Sequence, residues 1–266
     1  MCKIGMIGAG NMSRAMMGGM IGSGFSPDEV IASDINPQAL DAAQKKLGIR
    51  LAPNNRAVVE SARLIFLAVK PQYYEAAIAE IRENVLADGK KIVITVAPGW
   101  TLARTTGAFD GACKIVRTMP NTPALVGEGM TAFCPNDLVT PAEAEEIATL
   151  LSSFGQVRHL PENLFDAFTA LCGSSPAFVF MMIEALADAA VREGFPRALA
   201  YTLASQAVLG SAKMVRDLET HPGILKDMVC SPGGTTIEGV CALEESGMRA
   251  ALIKAVEKTV EKSQNM

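Results

Sequence analysis

The stretch Lys3-Ile4-Gly5-Met6-Ile7-Gly8-Ala9-Gly10-Asn11-Met12-Ser13 decides how this chain is read. Its first five residues form a short apolar run of strand type, and two spaced glycines then lead into a helical pattern. Gly8 permits a tight turn and Gly10 lets a pyrophosphate approach the backbone. Ser13 stands where a third small residue allows close helix-to-strand contact. Such a pattern is weak evidence alone, but here a strand precedes it, a helix follows, and a second strand ends at Ser33-Asp34. Asp34, 24 residues after Gly10, can accept hydrogen bonds from the adenosine ribose hydroxyls of NAD. Beside a 2′-phosphate the same carboxylate would be repulsive unless Asn36, Asn55 or Arg56 offset it.

Working outward, short apolar runs alternate with helical segments up to about Leu160, the pattern of a mostly parallel sheet with crossover helices. The expected strands are 3–7, 30–33, 64–69, 92–95, 114–118, 131–134 and 156–159. Helices are expected around 13–22, 37–47, 73–84, 101–107 and 141–153. After Pro161 the strands stop, and 177–192, 197–218 and 236–261 read as helices. An α/β domain over 1–160 and an all-helical domain over 161–266 follow. Between Arg197 and Lys213 no residue is charged, so a helix there must be buried on most sides. A helical half of this size hardly buries several such helices alone, which predicts a second subunit; a compact monomeric five-helix domain is the alternative.

Two loops after strand ends, Ala68-Val69-Lys70-Pro71 and Val96-Ala97-Pro98-Gly99, fall where ligands bind in such sheets and are expected at the nicotinamide half. A third, Met119-Pro120-Asn121-Thr122-Pro123, leaves Asn121 and Thr122 as donors. Each also reads as an ordinary sheet-to-helix turn. In the helical half, Lys226 to Ile237 reads as a binding loop. Pro232 and Gly233-Gly234 lead into Thr235, which with Glu238 matches a capping box opening a helix towards Ser246. Backbone amides at such a junction can hold a small carboxylate, although the same residues also make a plain loop and cap.

Composition narrows the function classes. With 49% hydrophobic residues the chain is globular, and 24 basic against 28 acidic residues give no field for nucleic acid. Six cysteines at 2, 113, 134, 172, 230 and 241 form no CxxC pair, and there are only two histidines. No metal site is expected, and the thiols read as buried in a reducing compartment. The start carries no signal-peptide pattern, and the longest uncharged stretch, 167–183, is expected to break at Gly173-Ser174-Ser175-Pro176. A cytoplasmic protein without membrane contact is expected.

Together these residues resemble the pyrroline-5-carboxylate reductase family. The resemblance spans nearly the whole chain: the Ile-Gly-x-Gly-Asn-Met start, residues 67–71, 117–123 and 173–177, and the most specific segment, His221 through Ile237. It implies a Rossmann-type domain followed by a helical dimerisation domain, with each active site drawing on both subunits; some members assemble into decamers. It implies reduction of L-1-pyrroline-5-carboxylate to L-proline, the last step of proline biosynthesis, by hydride transfer to the cyclic imine. NADP(H) is the usual cofactor by resemblance, and Asp34 speaks for NAD(H). The resemblance further implies that Ser231, Gly233, Gly234 and Thr235 hold the substrate carboxylate and that Thr236 contacts the ring nitrogen as the catalytic residue. Gly8, Gly10, Asn11 and Met12 would take the pyrophosphate and Asp34 and Asn55 the adenosine. Ala68, Val69, Lys70 and Pro71, with Ala97 and Gly99, would lie along the nicotinamide side.

Two other readings are weighed against this one. A β-hydroxyacid dehydrogenase-like carbonyl reductase would need a proton donor, and Lys213 is the only lysine between Pro161 and Leu225. A non-enzymatic cofactor-binding regulator would have no need for the polar loop 231–236. Neither His159 nor His221 reads as catalytic; His221 before Pro222 suits a helix end.

Overall fold

A computed structural model describes residues 3–265 and divides into two compact units, one of residues up to Gly173 with the chain from Val260 onward, the other Ser174–Thr259. This division falls later than the boundary expected near 160. Phe165 and Phe168 are buried with Ala132 and Cys134 of the sheet, which holds the intervening turns to the first unit.

The first unit is an eight-stranded sheet. Its strands are β1 (Ile4–Ile7), β2 (Val30–Ser33), β3 (Arg50–Leu51), β4 (Leu64–Leu67), β5 (Ile92–Thr95), β6 (Lys114–Met119), β7 (Gly129–Pro135) and β8 (Gly155–His159). They lie in the order β3-β2-β1-β4-β5-β6-β7-β8, and every pairing is parallel except β6 with β7. The helices are α1 (Asn11–Gly22), α2 (Pro37–Leu47), α3 (Asn55–Ser61), α4 (Tyr74–Leu86), α5 (Leu102–Ala108), α6 (Pro141–Leu151) and the short α7 (Phe165–Phe168). Alternate residues of the central strands feed two cores. Ile4, Met6, Leu64 and Phe66 pack with Met16, Met17 and Met20 of α1 on one face. Ile7, Ile65 and Leu67 pack with α3 and α4 on the other. Side chains alternating across each strand, with helices on both faces, explain why these strands read as continuous apolar runs. The order reverses between β1 and β4, and the crevice beyond their carboxyl ends is where ligands bind in such sheets.

The second unit is helical: α8 (Ser175–Arg192), α9 (Arg197–Leu218), α10 (Pro222–Val229), α11 (Thr235–Glu245) and α12 (Met248–Gln264, whose last residues return to the first unit). Up to Thr259 it buries only Ala187, Ala200, Ala204 and Leu225, while Phe180, Met181, Leu209 and Leu218 are each more than half exposed. Its apolar faces therefore lack a cover among the described residues.

Several expectations are corrected. The stretch at 173–176 does not interrupt the helix: a π turn over Thr169–Ser174 absorbs the glycine, and Pro176 sits in the first turn of α8, where its missing N–H costs no bond. The resulting Glu162–Arg192 run is long and apolar enough by length and composition to cross a membrane. The helix expected over 236–261 is two helices, parted at Ser246-Gly247 where Gly247 has φ 72°. β3, α3 and α10 were not expected. Nor are all thiols buried: Cys113 and Cys134 are, Cys172 and Cys230 are partly so, Cys241 is exposed, and Cys2 lies outside the described residues. Burial pushes the Cys113 thiol up to about 12.

Candidate active site

The glycine turn follows β1 directly. Gly8 has φ 103°, and a Cβ there would stand 2.7 Å from the Ala68 carbonyl oxygen, so the turn fits against the end of β4 only without a side chain. Gly8 N–H donates to the Ser33 carbonyl at 2.8 Å and Ala68 N–H to the Ile7 carbonyl at 2.8 Å, fixing the ends of β1, β2 and β4 together. Gly10 is the N-cap of α1, has no side-chain cap and has open space where a Cβ would point. The first turn holds no acidic residue, so its amides and the positive helix end are free to accept an anion. Ser13 is fully buried under this turn, and its Oγ has no hydrogen-bond partner among the described residues.

A cleft of about 440 Å³ opens beside the turn, lined among others by Gly8, Gly10, Asp34, Asn55, Ala68, Val69, Lys70 and Glu80. Asp34 Oδ2 accepts Ala9 N–H at 2.6 Å and Oδ1 accepts Asn36 N–H at 2.8 Å. Asn36 Oδ1 in turn accepts Gln38 N–H at 3.0 Å, capping α2. Asn55 Nδ2 donates to Glu80 Oε2 and its Oδ1 accepts from Ser33 Oγ, both at 2.7 Å. Arg56 Nε donates to the Glu80 carbonyl at 3.1 Å. The three side chains expected to offset a phosphate beside Asp34 therefore each hold protein atoms.

Of the other expected cofactor residues, Asn11 lines a separate groove with Arg14, whose guanidinium donates to Asn11 Oδ1 at 2.5 Å. Met12, Pro71, Ala97 and Gly99 are not among the residues lining the cleft. Instead the Pro71 carbonyl accepts Trp100 Nε1–H at 3.3 Å, and Ala97 is buried. Tyr74 ties the strand ends beneath: its hydroxyl donates to the Leu67 carbonyl and accepts Val96 N–H at 3.1 Å, and burial raises its pKa well above the usual phenol value.

Asn121, expected as a ligand donor, acts as a brace in the structure. It is buried, its Oδ1 accepts Met130 N–H at 2.9 Å, and its Nδ2 donates to the Cys172 carbonyl at 2.8 Å, leaving one donor hydrogen uncommitted. Nearby, Arg117 is buried with its guanidinium 2.8 Å from Glu162 Oε1 and 4.6 Å from the Phe165 ring centroid. Glu162 Oε1 also accepts Leu102 N–H at 2.6 Å. No sequence pattern singles out this Arg117–Glu162 pair, because its partners are 45 residues apart.

In the helical unit the loop ahead of α11 is a tight turn in which Gly234 N–H donates to the Ser231 carbonyl at 3.0 Å and Gly233 has φ 66°. A Cβ on Gly234 would collide with Ser231 Oγ. The expected capping box is overturned: the N-cap is Gly234, with no side-chain cap bond, and Thr235 is the first helical residue. The turn sets the start one residue earlier than Thr235-x-x-Glu238 suggested. The consequence is that the first amides of α11 are uncapped, beside the exposed Ser231, Thr235 and Thr236. His221 caps α10, its Nδ1 accepting Gly223 N–H at 3.1 Å, and Lys213 pairs with Asp217 one turn on. His159 stacks against Phe133 with ring centroids 5.2 Å apart.

Residues 162–266 match the family model described as pyrroline-5-carboxylate reductase dimerisation, and residues 3–99 match NADP oxidoreductase, coenzyme F420-dependent. The chain is 46% identical to the pyrroline-5-carboxylate reductase of Escherichia coli strain K12, over 99% of this chain and 98% of that one. Among solved structures, it superposes on a pyrroline-5-carboxylate reductase from Coxiella burnetii with TM-score 0.92 and 31% identity, covering 99% and 98% of the two chains. The Plasmodium falciparum pyrroline carboxylate reductase with NADP bound gives TM-score 0.89 at 29% identity, covering 99% and 97%. With the turn, the cleft and the helical unit in place over the full length of these relatives, the chain belongs to the pyrroline-5-carboxylate reductase family.

Proposed function

We propose that this protein reduces L-1-pyrroline-5-carboxylate to L-proline, with the dinucleotide held by the first unit and the imino acid by the loop before α11. The observation that carries this reading is a pair of uncapped helix starts, each preceded by glycine: α1 beside the open cleft and α11 behind Ser231. Each offers backbone amides and a positive helix end to an anion, one suited to a pyrophosphate and one to a carboxylate. Room at Gly10 and the forced turn at Gly8 fit a dinucleotide backbone. The bound reduced nicotinamide supplies the hydride.

The protein's own task is orientation and fixed electrostatics, because a protonated cyclic imine is already a strong acceptor. Ser231 Oγ and the amide of Thr235 hold the carboxylate, with Gly233 and Gly234 shaping the turn in which the Gly234 amide is bonded to the Ser231 carbonyl, and the exposed Thr236 hydroxyl contacts the ring nitrogen. Gly8, Gly10, Asp34, Asn55 and Ala68 to Lys70 receive the dinucleotide, as their place along the cleft supports. The functional domains are 1–160 and 161–266. The uncovered apolar faces of α8 and α9 support a homodimer through the helical domain. The five described cysteines are all free, which supports a reducing, cytoplasmic setting.

The test is purified protein with L-1-pyrroline-5-carboxylate, following NADH and NADPH absorbance in parallel. Imine-dependent oxidation of either supports the reading; binding of both without oxidation overturns it. A carbonyl reductase is less well supported, since the ammonium of Lys213 is engaged by Asp217.

A further inference from the structure

Past the glycine turn, a buried phenol sits within the hydrogen bonding of the sheet itself. The β4–β5 ladder begins with Ile92 N–H donating to the Arg63 carbonyl at 3.0 Å, and its last paired residues are Leu67 and Thr95. Parallel ladders repeat every second residue, so the next step past that pair runs from Val96 N–H to the Leu67 carbonyl. On the β1–β4 side the matching step closes directly, from Ala68 N–H to the Ile7 carbonyl at 2.8 Å. On the β5 side the Tyr74 hydroxyl is interposed: it donates to the Leu67 carbonyl and accepts Val96 N–H at 3.1 Å. Burial pushes the phenol up, beyond what the Val96 and Ala97 amides offset, so it keeps its proton and fills both roles at once. A second clasp lies beside it. Trp100 Nε1–H donates to the Pro71 carbonyl at 3.3 Å, and the Trp100 and Tyr74 ring centroids are 4.9 Å apart. The Arg104 guanidinium, paired with Glu75, covers the Trp100 ring at 4.0 Å from its centroid. The loops after β4 and β5 are therefore held together at two points, by side chains that are themselves buried.

A dinucleotide lying across the switch point with its adenosine at the end of β2 has its nicotinamide half over the ends of β4 and β5. We infer that Tyr74 is a positioning residue for hydride transfer: its hydroxyl wedges the ends of β4 and β5 apart by one oxygen, and that separation sets where the 68–71 and 96–99 loops hold the nicotinamide ring. The inference rests on the cleft taking the dinucleotide, as proposed above. Tyr74→Phe keeps the ring beside Trp100 and removes the wedge, so that Val96 N–H and the Leu67 carbonyl close on each other. Trp100→Phe keeps an aromatic ring against Tyr74 and removes the bond to Pro71.

The experiment is calorimetric titration of the full-length protein and both variants with NADH, NADPH, 5′-ADP and 2′,5′-ADP, alongside steady-state imine reduction and a melting curve for each protein. A ring displaced by about 1 Å corresponds to roughly 10²-fold in turnover, and one lost polar contact to about fivefold to tenfold in affinity. Tyr74→Phe is expected to lower turnover and to weaken NADH and NADPH by these amounts, with both ADP fragments held within about twofold of the parent. Trp100→Phe should give the same pattern at about threefold in affinity, and it decides the matter if Tyr74→Phe does not fold. Dinucleotides and fragments changing together, as a general loosening of the sheet would make them, overturns the inference; so does turnover at the parent's level. A parent that binds dinucleotide but reduces no imine overturns only the proposed function, and the comparison of dinucleotides with fragments then decides this inference. A parent that binds neither dinucleotide overturns both.

Discussion

Replacing Asn121 by alanine separates a structural role from a ligand-binding one. The side chain is buried and makes two bonds, to Met130 N–H at 2.9 Å and to the Cys172 carbonyl at 2.8 Å. These join the loop after β6 to the first residues of β7 and to the π turn over Thr169–Ser174. Alanine leaves one amide and one carbonyl without partners, each at a cost of about 1–3 kcal/mol, so about 2–6 kcal/mol in all. For a chain of this length each kcal/mol moves the melting temperature by roughly 2–4 °C, giving a fall of about 4–24 °C. Scanning calorimetry at fixed protein concentration reads this directly, and titration with dinucleotide under folding conditions reads the alternative. The expected result is a large drop in melting temperature with affinity within about threefold of the parent. An unchanged melting temperature with tenfold weaker dinucleotide binding would refute the assignment of Asn121 as a brace.

Further outcomes follow from other residues. Thr95 is fully buried with an unpartnered hydroxyl, so Thr95→Val should raise stability by about 1 kcal/mol in urea titrations; a lower midpoint would mean the hydroxyl has a partner. Burial pushes the Glu143 carboxyl up, but Lys114 at 2.6 Å and the Thr140 amide and hydroxyl outweigh it and hold it below the usual range. Its contribution is therefore present above the unfolded pKa and is lost as pH falls through the folded one. The parent should lose more stability than Glu143→Gln on acidification below about pH 4.5, and parallel curves would contradict this. Sedimentation at micromolar concentration should give a dimer or a multiple of it, and Leu209→Glu, on the open face of α9, should shift it towards monomer; a monomeric parent defeats the proposed cover. Thr236→Ala should lower turnover by about 10²-fold with dinucleotide affinity nearly unchanged, and an unaltered rate would remove Thr236 from the mechanism.

The strands of the sheet were legible because they are written in local signals. Central strands buried on both faces give apolar runs such as Leu64-Ile65-Phe66-Leu67, and Asn36-Pro37 marks the start of α2 by a cap and a proline that the structure uses as such. The two-residue β3 has no periodicity to detect. The helix start at Asn55 carried a usable signal in Asn54, whose Oδ1 accepts Ala57 N–H at 2.9 Å, and the start of α10 carried one in His221-Pro222. Ser246-Gly247 likewise marked the break between α11 and α12, yet the amphipathic pattern on either side reads through it. The Gly173-to-Pro176 run failed in the opposite sense, because a breaker composition at the first turn of a helix is compatible with continuation.

The site residues were legible as positions and less so as roles, and the reason is the same at each. A polar side chain at a strand end reads as a ligand donor because sequence carries no record of what else it can reach. Asp34 reaches Ala9 across 25 residues, Asn55 reaches Glu80 across 25, and Asn121 reaches Cys172 across 51. Each long-range bond removes freedom from a group that spacing alone leaves available. What stays open for a ligand is then mostly backbone: the first amides of α1 and α11, uncapped because glycine occupies both N-cap positions. A side chain such as Asp34 shapes that opening by holding it in place, so its effect on a cofactor is set by where its bonds to the turn fix its charge.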